Sequence, residues 1–294
     1  MVAVKDAVPK AVRPYVRSAY RWGRSHPALT RAAKAQLARQ LTGQERHLVE
    51  AVDPVVSVND SMAGGGWRHY FEVGLDAMRW IEAAMAAASI DAPERVLDLP
   101  CGWGRIMRFL AARYPGAELV GCDIVDDGIA FCAQQFGATP VRSSPAIGDV
   151  ELPGQFDLIW CGSLATHIDA GSVEALLSLF ARSLSPRGVA VVTVHGRFVE
   201  ARLAVNDPFY ELDPEAAAKI VREYRDGGFG YADYPSGESY ETETAGHTDA
   251  HYGVSLTSRE WMAGAAARAG LSEVYYGERV WDHHHDVYGL RRQS

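Results

Sequence analysis

Four groups of residues in this chain have the types and spacing to do chemistry. The first is Asp98-Leu-Pro-Cys-Gly102-Trp-Gly104, an acid and two glycines between an apolar run and an amphipathic one. A glycine turn that opens a helix brings backbone amides close to a ligand, because no Cβ stands in the way. A nicotinamide-binding loop would need a third glycine three residues after the second, and position 107 is Met. Asp98 also precedes the glycines, where a carboxylate would repel a pyrophosphate but accept hydrogen bonds from an ammonium group. The second group is Asp123, nineteen residues beyond Gly104. An acid there can accept both hydroxyls of a ribose, so it supports a nucleoside cofactor without choosing among them. Its plainer role is to cap the following helix.

His167 and His195 form the third group. An imidazole with its ordinary pKa near 6.5 is largely neutral at pH 7 and can take a proton from a hydroxyl. For His167 the competing role is a helix-entry residue bonded to backbone, with Asp169 or Ser172 as the cap. The fourth group is histidine-rich. Along a strand His283 and His285 would share one face and His284 the other. His247, Asp249 and His251 are better spaced for a metal, since alternate residues converge on one face. Hydrogen bonding or substrate lining is the expectation for both clusters, and no metal is assigned.

The elements that must position these groups follow from apolar periodicity. Strands are predicted over 96–99, 117–123, 138–142, 155–161 and 189–195. Helices are predicted over 105–114, 126–136 and 172–184, with a turn at Ser185-Pro-Arg-Gly188. Such alternation implies a parallel sheet covered on both faces, with ligands beyond the carboxyl ends of its strands. Asp98, Asp123, Ser143, Gly162, His167 and His195 all fall at or just after those ends.

Around the glycines the chain resembles motif I of the class I S-adenosylmethionine-dependent methyltransferases, Asp-x-Gly-x-Gly-x-Gly. Asp98, Gly102 and Gly104 match it, and Pro100 replaces the first glycine. Phe-Asp-Leu-Ile-Trp-Cys at 156–161 resembles that family's fourth strand, and Leu184-x-Pro-x-Gly188 resembles its turn before the fifth. The resemblance covers roughly 94–292, with 197–256 unmatched. It implies an α/β, Rossmann-like doubly wound sheet, mostly parallel with an antiparallel closing strand, here carrying a helical N-terminal extension and an inserted lid. It implies S-adenosyl-L-methionine as cofactor, with S-adenosyl-L-homocysteine as product. The implied cofactor contacts are Asp98, Pro100, Cys101, Gly102, Gly104, Asp123, Ile124, Ser143, Ser144, Cys161 and Gly162. Asp98, Gly102 and Gly104 would surround the methionine end, Asp123 the ribose, and Ser143 with Ser144 the adenine. It also places His167, with His195 as competitor, where a general base would face the acceptor.

A chain of 294 residues, 48% hydrophobic, can bury a full core. Its net charge is −8, yet residues 1–47 hold ten Lys and Arg against Asp6 and Glu45, so the body is more acidic than the whole. An acidic body disfavours nucleic acid as the main partner. Cys101, Cys122, Cys132 and Cys161 form no Cys-x-x-Cys pair and read as reduced core residues of a cytoplasmic protein. No run is long enough to span a bilayer.

Residues 1–60 are expected to form a basic helical arm and 61–294 the methyltransferase domain, with the lid at 197–256. Lys10, Arg13, Arg17, Arg21 and Arg24 make a basic face. It suits packing on the chain's own acidic body, a second subunit in a homodimer, or a peripheral contact with anionic lipid. A second helix is expected from Pro27 to Gly43, a lead-in helix over 69–88, and closing strands over 271–281 and 286–291 joined at Asp282–Asp286. From Val205 to Gly253 there are eleven acids against Lys219, Arg222 and Arg225, with many tyrosines. Such a cover suits a small-molecule acceptor that is neutral and hydroxylated, or cationic. The expectation is O-methylation of a sugar-containing or hydroxylated small molecule. N-methylation of an amine-bearing small molecule and a non-catalytic adenosylmethionine-binding protein are the alternatives.

Overall fold

From Arg95 onward, short β-prone apolar runs bounded by Gly, Pro and polar turns alternate with amphipathic stretches, so each run pairs with its neighbours while the stretches cover them. The computed structural model describes residues 26–210, 212–234 and 252–293. The basic face at Lys10–Arg24 and the His247, Asp249 and His251 set lie outside the described residues. Two compact units are distinguished, Met1–Glu72 and Val73–Ser294.

In the first unit, α1 (Pro27–Ala38) and α2 (Gly43–Ala51) are tied together by Lys34. Its ammonium donates to the Glu50 and Val52 carbonyls at 2.8 and 2.7 Å. The helix expected to end at Gly43 ends five residues earlier. Gly43, at φ +57°, instead opens α2, a conformation that costs glycine little. Tyr70 donates its hydroxyl to the buried Asp60 at 2.7 Å. The lead-in helix, α3, spans Trp67–Ala87.

In the second unit, a seven-stranded sheet has the order β3-β2-β1-β4-β5-β9-β8. Its members are β1 (Arg95–Asp98), β2 (Glu118–Asp123), β3 (Thr139–Arg142), β4 (Phe156–Cys161), β5 (Leu184–His195), β8 (Leu271–Trp281) and β9 (His285–Arg292). β1 to β5 are parallel, and β9 joins β5 antiparallel. The connecting helices are α4 (Met107–Arg113), α5 (Asp126–Phe136) and α6 (Ala170–Ser183), and α9 (Arg259–Arg268) precedes β8. One core cluster runs through Leu97, Val120, Ile159, Leu176, Phe180, Val192 and Leu290. The order in which strands are added reverses between β1 and β4, the switch point at whose strand carboxyl ends ligands bind in such sheets.

Two local expectations are corrected. Ser185–Gly188 is no turn between elements but part of β5, where the register with β4 shifts between Phe156 and Leu158. A Cβ on Gly188 would stand 2.5 Å from the Phe156 carbonyl, so glycine permits that irregularity. Asp282, His283 and His284 form the joint expected between the closing strands, as a turn with φ of +46° and +61° at Asp282 and His283. Strand alternation therefore does not govern the three histidines, and the His284 and His285 rings come 4.2 Å apart.

The insertion folds. α7 (Arg197–Leu203), α8 (Pro214–Gly227), β6 (Phe229–Asp233) and β7 (Gly253–Thr257) enclose a core of Val199, Leu203, Ile220, Val221, Val254 and Leu256. α8 starts cleanly because Pro214 sits in its first turn and Asp213 caps the Glu215 and Ala216 amides. It stops at Gly228, which is left-handed.

α3 packs on α4 at Gly74, where a Cβ would run into the Phe109 ring. Gly74→Ala gains up to about 1 kcal/mol of helix propensity, but overpacking against a buried ring costs about 1–3 kcal/mol. The variant should be destabilised in urea unfolding. Gly227→Ala, with open space around its Cβ, should be neutral or stabilising, and equal behaviour of the two would contradict this packing.

Candidate functional site

The glycine loop is shaped mainly by the protein's own side chains. β1 carries Asp98 to the sheet edge, and the Cys101 amide donates to the Cys122 carbonyl at 3.0 Å, anchoring the turn to β2. The Gly102 amide donates to Asp123 Oδ2 at 2.7 Å, and the Val125 amide to Oδ1 at 3.0 Å. Asp123 thus ties the loop to β2 and holds the turn into α5 without capping that helix, whose N-cap Val125 has no side-chain cap bond, while each oxygen keeps a further lone pair for a ligand. Gly102 has open space where its Cβ would be, at φ +49°. Gly104 does not: a Cβ would strike the Phe136 ring, so this glycine is required by α5. The buried Arg108 donates through Nε to the Gly104 carbonyl at 3.0 Å, with its guanidinium over the Phe136 ring.

Asp98 is the unusual member. It is 1% exposed, and neither carboxylate oxygen has a hydrogen-bond partner. Burial pushes its pKa well above the usual carboxylate range, and the Asp123 carboxylate pushes it further; the Met107 amide and the Arg105 guanidinium pull back only weakly. Asp123 is raised as well, by burial, against its bonds from Val125 and Gly102. Two buried acids at neighbouring strand ends therefore repel each other. Such a site favours a cationic hydrogen-bond donor.

The other predicted positions differ in their surroundings. Pro100 and Cys101 lie in the loop itself, and Ile124 follows Asp123 directly. The Ser143 amide is taken by the Asp123 carbonyl at 2.8 Å, and Ser144 Oγ accepts from the Ala146 amide at 3.1 Å. Cys161 is fully buried, and burial pushes its thiol far up. Gly162 leaves room for the Trp160 indole, which would lie 2.8 Å from a Cβ there.

His167 and His195 come together, with ring centroids 6.2 Å apart. The His167 Nδ1–H donates to the Gly253 carbonyl at 2.7 Å, with the Tyr234 hydroxyl 3.3 Å from the same nitrogen. Its ring stacks on Tyr252 at 4.8 Å. This tautomer keeps the lone pair on Nε2. Burial pushes its pKa down to about 4, although the Gly253 bond opposes this. β7 lies along the same loop: the Gly253 amide donates to the His167 carbonyl and the Ser255 amide to the Thr166 carbonyl, both at 2.9 Å. Asp169 caps α6 through the Ser172 amide, as the backbone alternative for this loop required. His195 is 4% exposed and touches the rings of Tyr210, His284 and His285.

Sequence reasoning missed Arg105, Arg108 and the pairing of His284 and His285 with His195. Arg105 lies within electrostatic reach of both Asp98 and His285. The adjacent histidines were visible, but the turn that swings them toward β5 was not.

Residues 96–188 match a family model described as a methyltransferase domain. The YqeM protein of Bacillus subtilis, described as a methyltransferase, is 31% identical over 150 residues, 47% of this chain and 55% of that protein. The trans-aconitate 2-methyltransferase of Methylobacterium nodulans is 30% identical over 145 residues, with the same shares covered. The chain thus spans about half the length of the curated relatives it matches. The crystal structure of an S-adenosylmethionine-dependent methyltransferase from Clostridium acetobutylicum has the same fold. Its TM-score is 0.51 at 13% identity, covering 74% of this chain and 92% of that one.

The unpartnered carboxylate gives a stability prediction. Because the folded-state pKa of Asp98 is raised, its ionised form penalises the fold at neutral pH, and the penalty fades as pH falls through the folded value. Asp98→Asn should therefore stabilise the ligand-free protein by about 1–3 kcal/mol at pH 7. Thermal melting between about pH 4 and 8 should show that advantage shrinking toward acid. A destabilised Asn variant at pH 7 would mean the carboxylate is paired.

Proposed function

We propose that this chain, whose residues 96–188 match a methyltransferase-domain model, is an S-adenosylmethionine-dependent methyltransferase acting on a hydroxyl of a sugar-containing or otherwise hydroxylated small molecule. The single observation that carries the cofactor assignment is Asp98, a buried carboxylate with both oxygens unpartnered beside a glycine loop. It fits the α-ammonium of the cofactor's methionine end, which would supply the missing donors and the opposite charge. Asp123 fits the ribose diol through its remaining lone pairs, and the open face of Gly102 leaves the loop backbone accessible. Ile124, Ser143, Ser144, Cys161 and Gly162 complete the expected lining. When bound, the cofactor supplies an electrophilic methyl group on a sulfonium.

The chain's own contribution is alignment, exclusion of water and custody of a proton. On this reading His167 accepts the acceptor's proton at Nε2, a role supported by the Gly253 carbonyl holding Nδ1–H. His195 is the competing base. Tyr234 and Tyr252 flank His167, and neutral imidazole and phenol groups suit an acceptor rich in hydroxyls. The folded insertion is read as the acceptor's cover. Among the described residues no helix is long and apolar enough to cross a membrane.

Asp98→Asn should weaken adenosylmethionine binding, measured by calorimetry, by about 1.5–3 kcal/mol while the fold holds. Asp123→Ala should cost at least as much, since it also frees the Gly102 amide. Cofactor affinity unchanged in Asp98→Asn would remove the assignment. His167→Gln should lower methyl transfer to hydroxylated acceptors by about a hundredfold or more, with little effect on cofactor affinity. Near-normal turnover in that variant would pass the role to His195 or leave alignment alone.

A further inference from the structure

The histidines at the end of β5 and in the β8–β9 hairpin form a group that proton transfer does not account for. His195 is the last residue of β5 and His285 the first of β9, and they are direct cross-strand partners. The ladder that pairs Val194 with Asp286 and Thr193 with Val287 fixes their separation. The turn then delivers His284 to the same place, with ring centroids 5.8 Å from His195 and 4.2 Å from His285. One nitrogen from each ring lies within 4.8 Å of the other two. Nδ1 of both His195 and His285 is buried with no hydrogen-bond partner. A buried polar atom left without a partner destabilises a fold, so two at adjacent positions point to a ligand that satisfies them.

We propose that His195, His284 and His285 bind one divalent transition-metal ion of the zinc class, beside His167. Three imidazoles with a coordination position left over is the donor set of a catalytic rather than a structural zinc site. His284 Nδ1 lies 2.6 Å from the Asp282 carbonyl, the kind of backbone bond that fixes the tautomer and aims Nε2 outward. Tetrahedral coordination at zinc–nitrogen bonds of about 2.0–2.1 Å needs nitrogens about 3.4 Å apart, so nitrogens now within 4.8 Å of one another would close in by rotation of the rings. Arg105 and Arg202 lower the affinity of His285 and His284 for protons, and would repel a cation too. The site must therefore hold its ion by direct nitrogen bonds, which selects imidazole-preferring metals over magnesium or calcium. Burial favours the neutral imidazole that a metal requires. On the methyltransferase reading, the ion acts as a Lewis acid that acidifies an acceptor hydroxyl next to His167. Metal binding itself does not depend on that reading.

The test uses the full chain without an affinity tag, stripped with chelator. Titration with Zn²⁺ in a calorimeter and with Co²⁺ in the visible spectrum should give one ion per chain. The Co²⁺ form should show the intense ligand-field bands of a low-coordinate nitrogen site. His285→Ala and His284→Ala should each weaken binding at least about tenfold; His284 sits in a turn, so its variant stays informative if His285→Ala fails to fold. The double variant His247→Ala/His251→Ala should bind as the parent does. No stoichiometric uptake, undiminished uptake in His284→Ala, or loss only in the 247/251 variant would each overturn the site. Adenosylmethionine binding by the stripped chain, measured in parallel, tests the methyltransferase reading separately.

Discussion

Asp98 is a carboxylate held out of water with nothing to bond, and the site around it is arranged to keep it so. β1 is buried along its length and carries the side chain at its carboxyl end. The Asp123 carboxylate next door raises the cost of ionisation, and the Gly102 amide of the loop is committed to Asp123. A fold does not keep two mutually repelling buried acids for stability. The energy withheld in the ligand-free chain becomes available as binding energy to a cation with several N–H donors, which is a general way for a site to be selective.

The same economy of contacts links the insertion to the chemistry. β7 is bonded along the loop that follows β4, through the Gly253 and Ser255 amides. The Gly253 carbonyl then takes the His167 proton at Nδ1. A displacement of β7 would thus change both the orientation and the tautomer of the imidazole. The insertion has its own apolar core, and its two-stranded sheet carries the bonds to the His167 loop.

Much of this was legible in the residues, and the failures are local. The strands of the sheet were readable because each is a short apolar run closed by a glycine, proline or polar turn, and α5 was readable to the residue. Asp98, Gly102 and Asp123 were readable as a cluster because ligands gather at strand carboxyl ends. What could not be read depends on contacts distant in sequence or on unusual backbone. Gly104 looked like a ligand-approach glycine, but the atom it makes room for belongs to Phe136. Asp123 looked like a choice between ribose acceptor and helix cap, and the carboxylate bonds both the loop and the α5 entry. The joint at Asp282–Asp286 was readable, but its tightness was not, because nothing in Asp-His-His-His announces left-handed backbone at non-glycine residues. The long insertion looked like a loop with aromatics, although Asp213-Pro214 and Gly228 mark a helix start and stop.

The central claim is that Asp98 waits, unpaired, for the ammonium group of the cofactor. It is tested most directly by following the Asp98 carboxyl carbon by NMR through a pH titration, with and without S-adenosylhomocysteine, which retains the ammonium. The account predicts that Asp98 titrates well above the ordinary carboxylate range in the free protein and falls by several units when the ligand binds. An ordinary pKa in the free protein, or one that the ligand leaves unmoved, would contradict it.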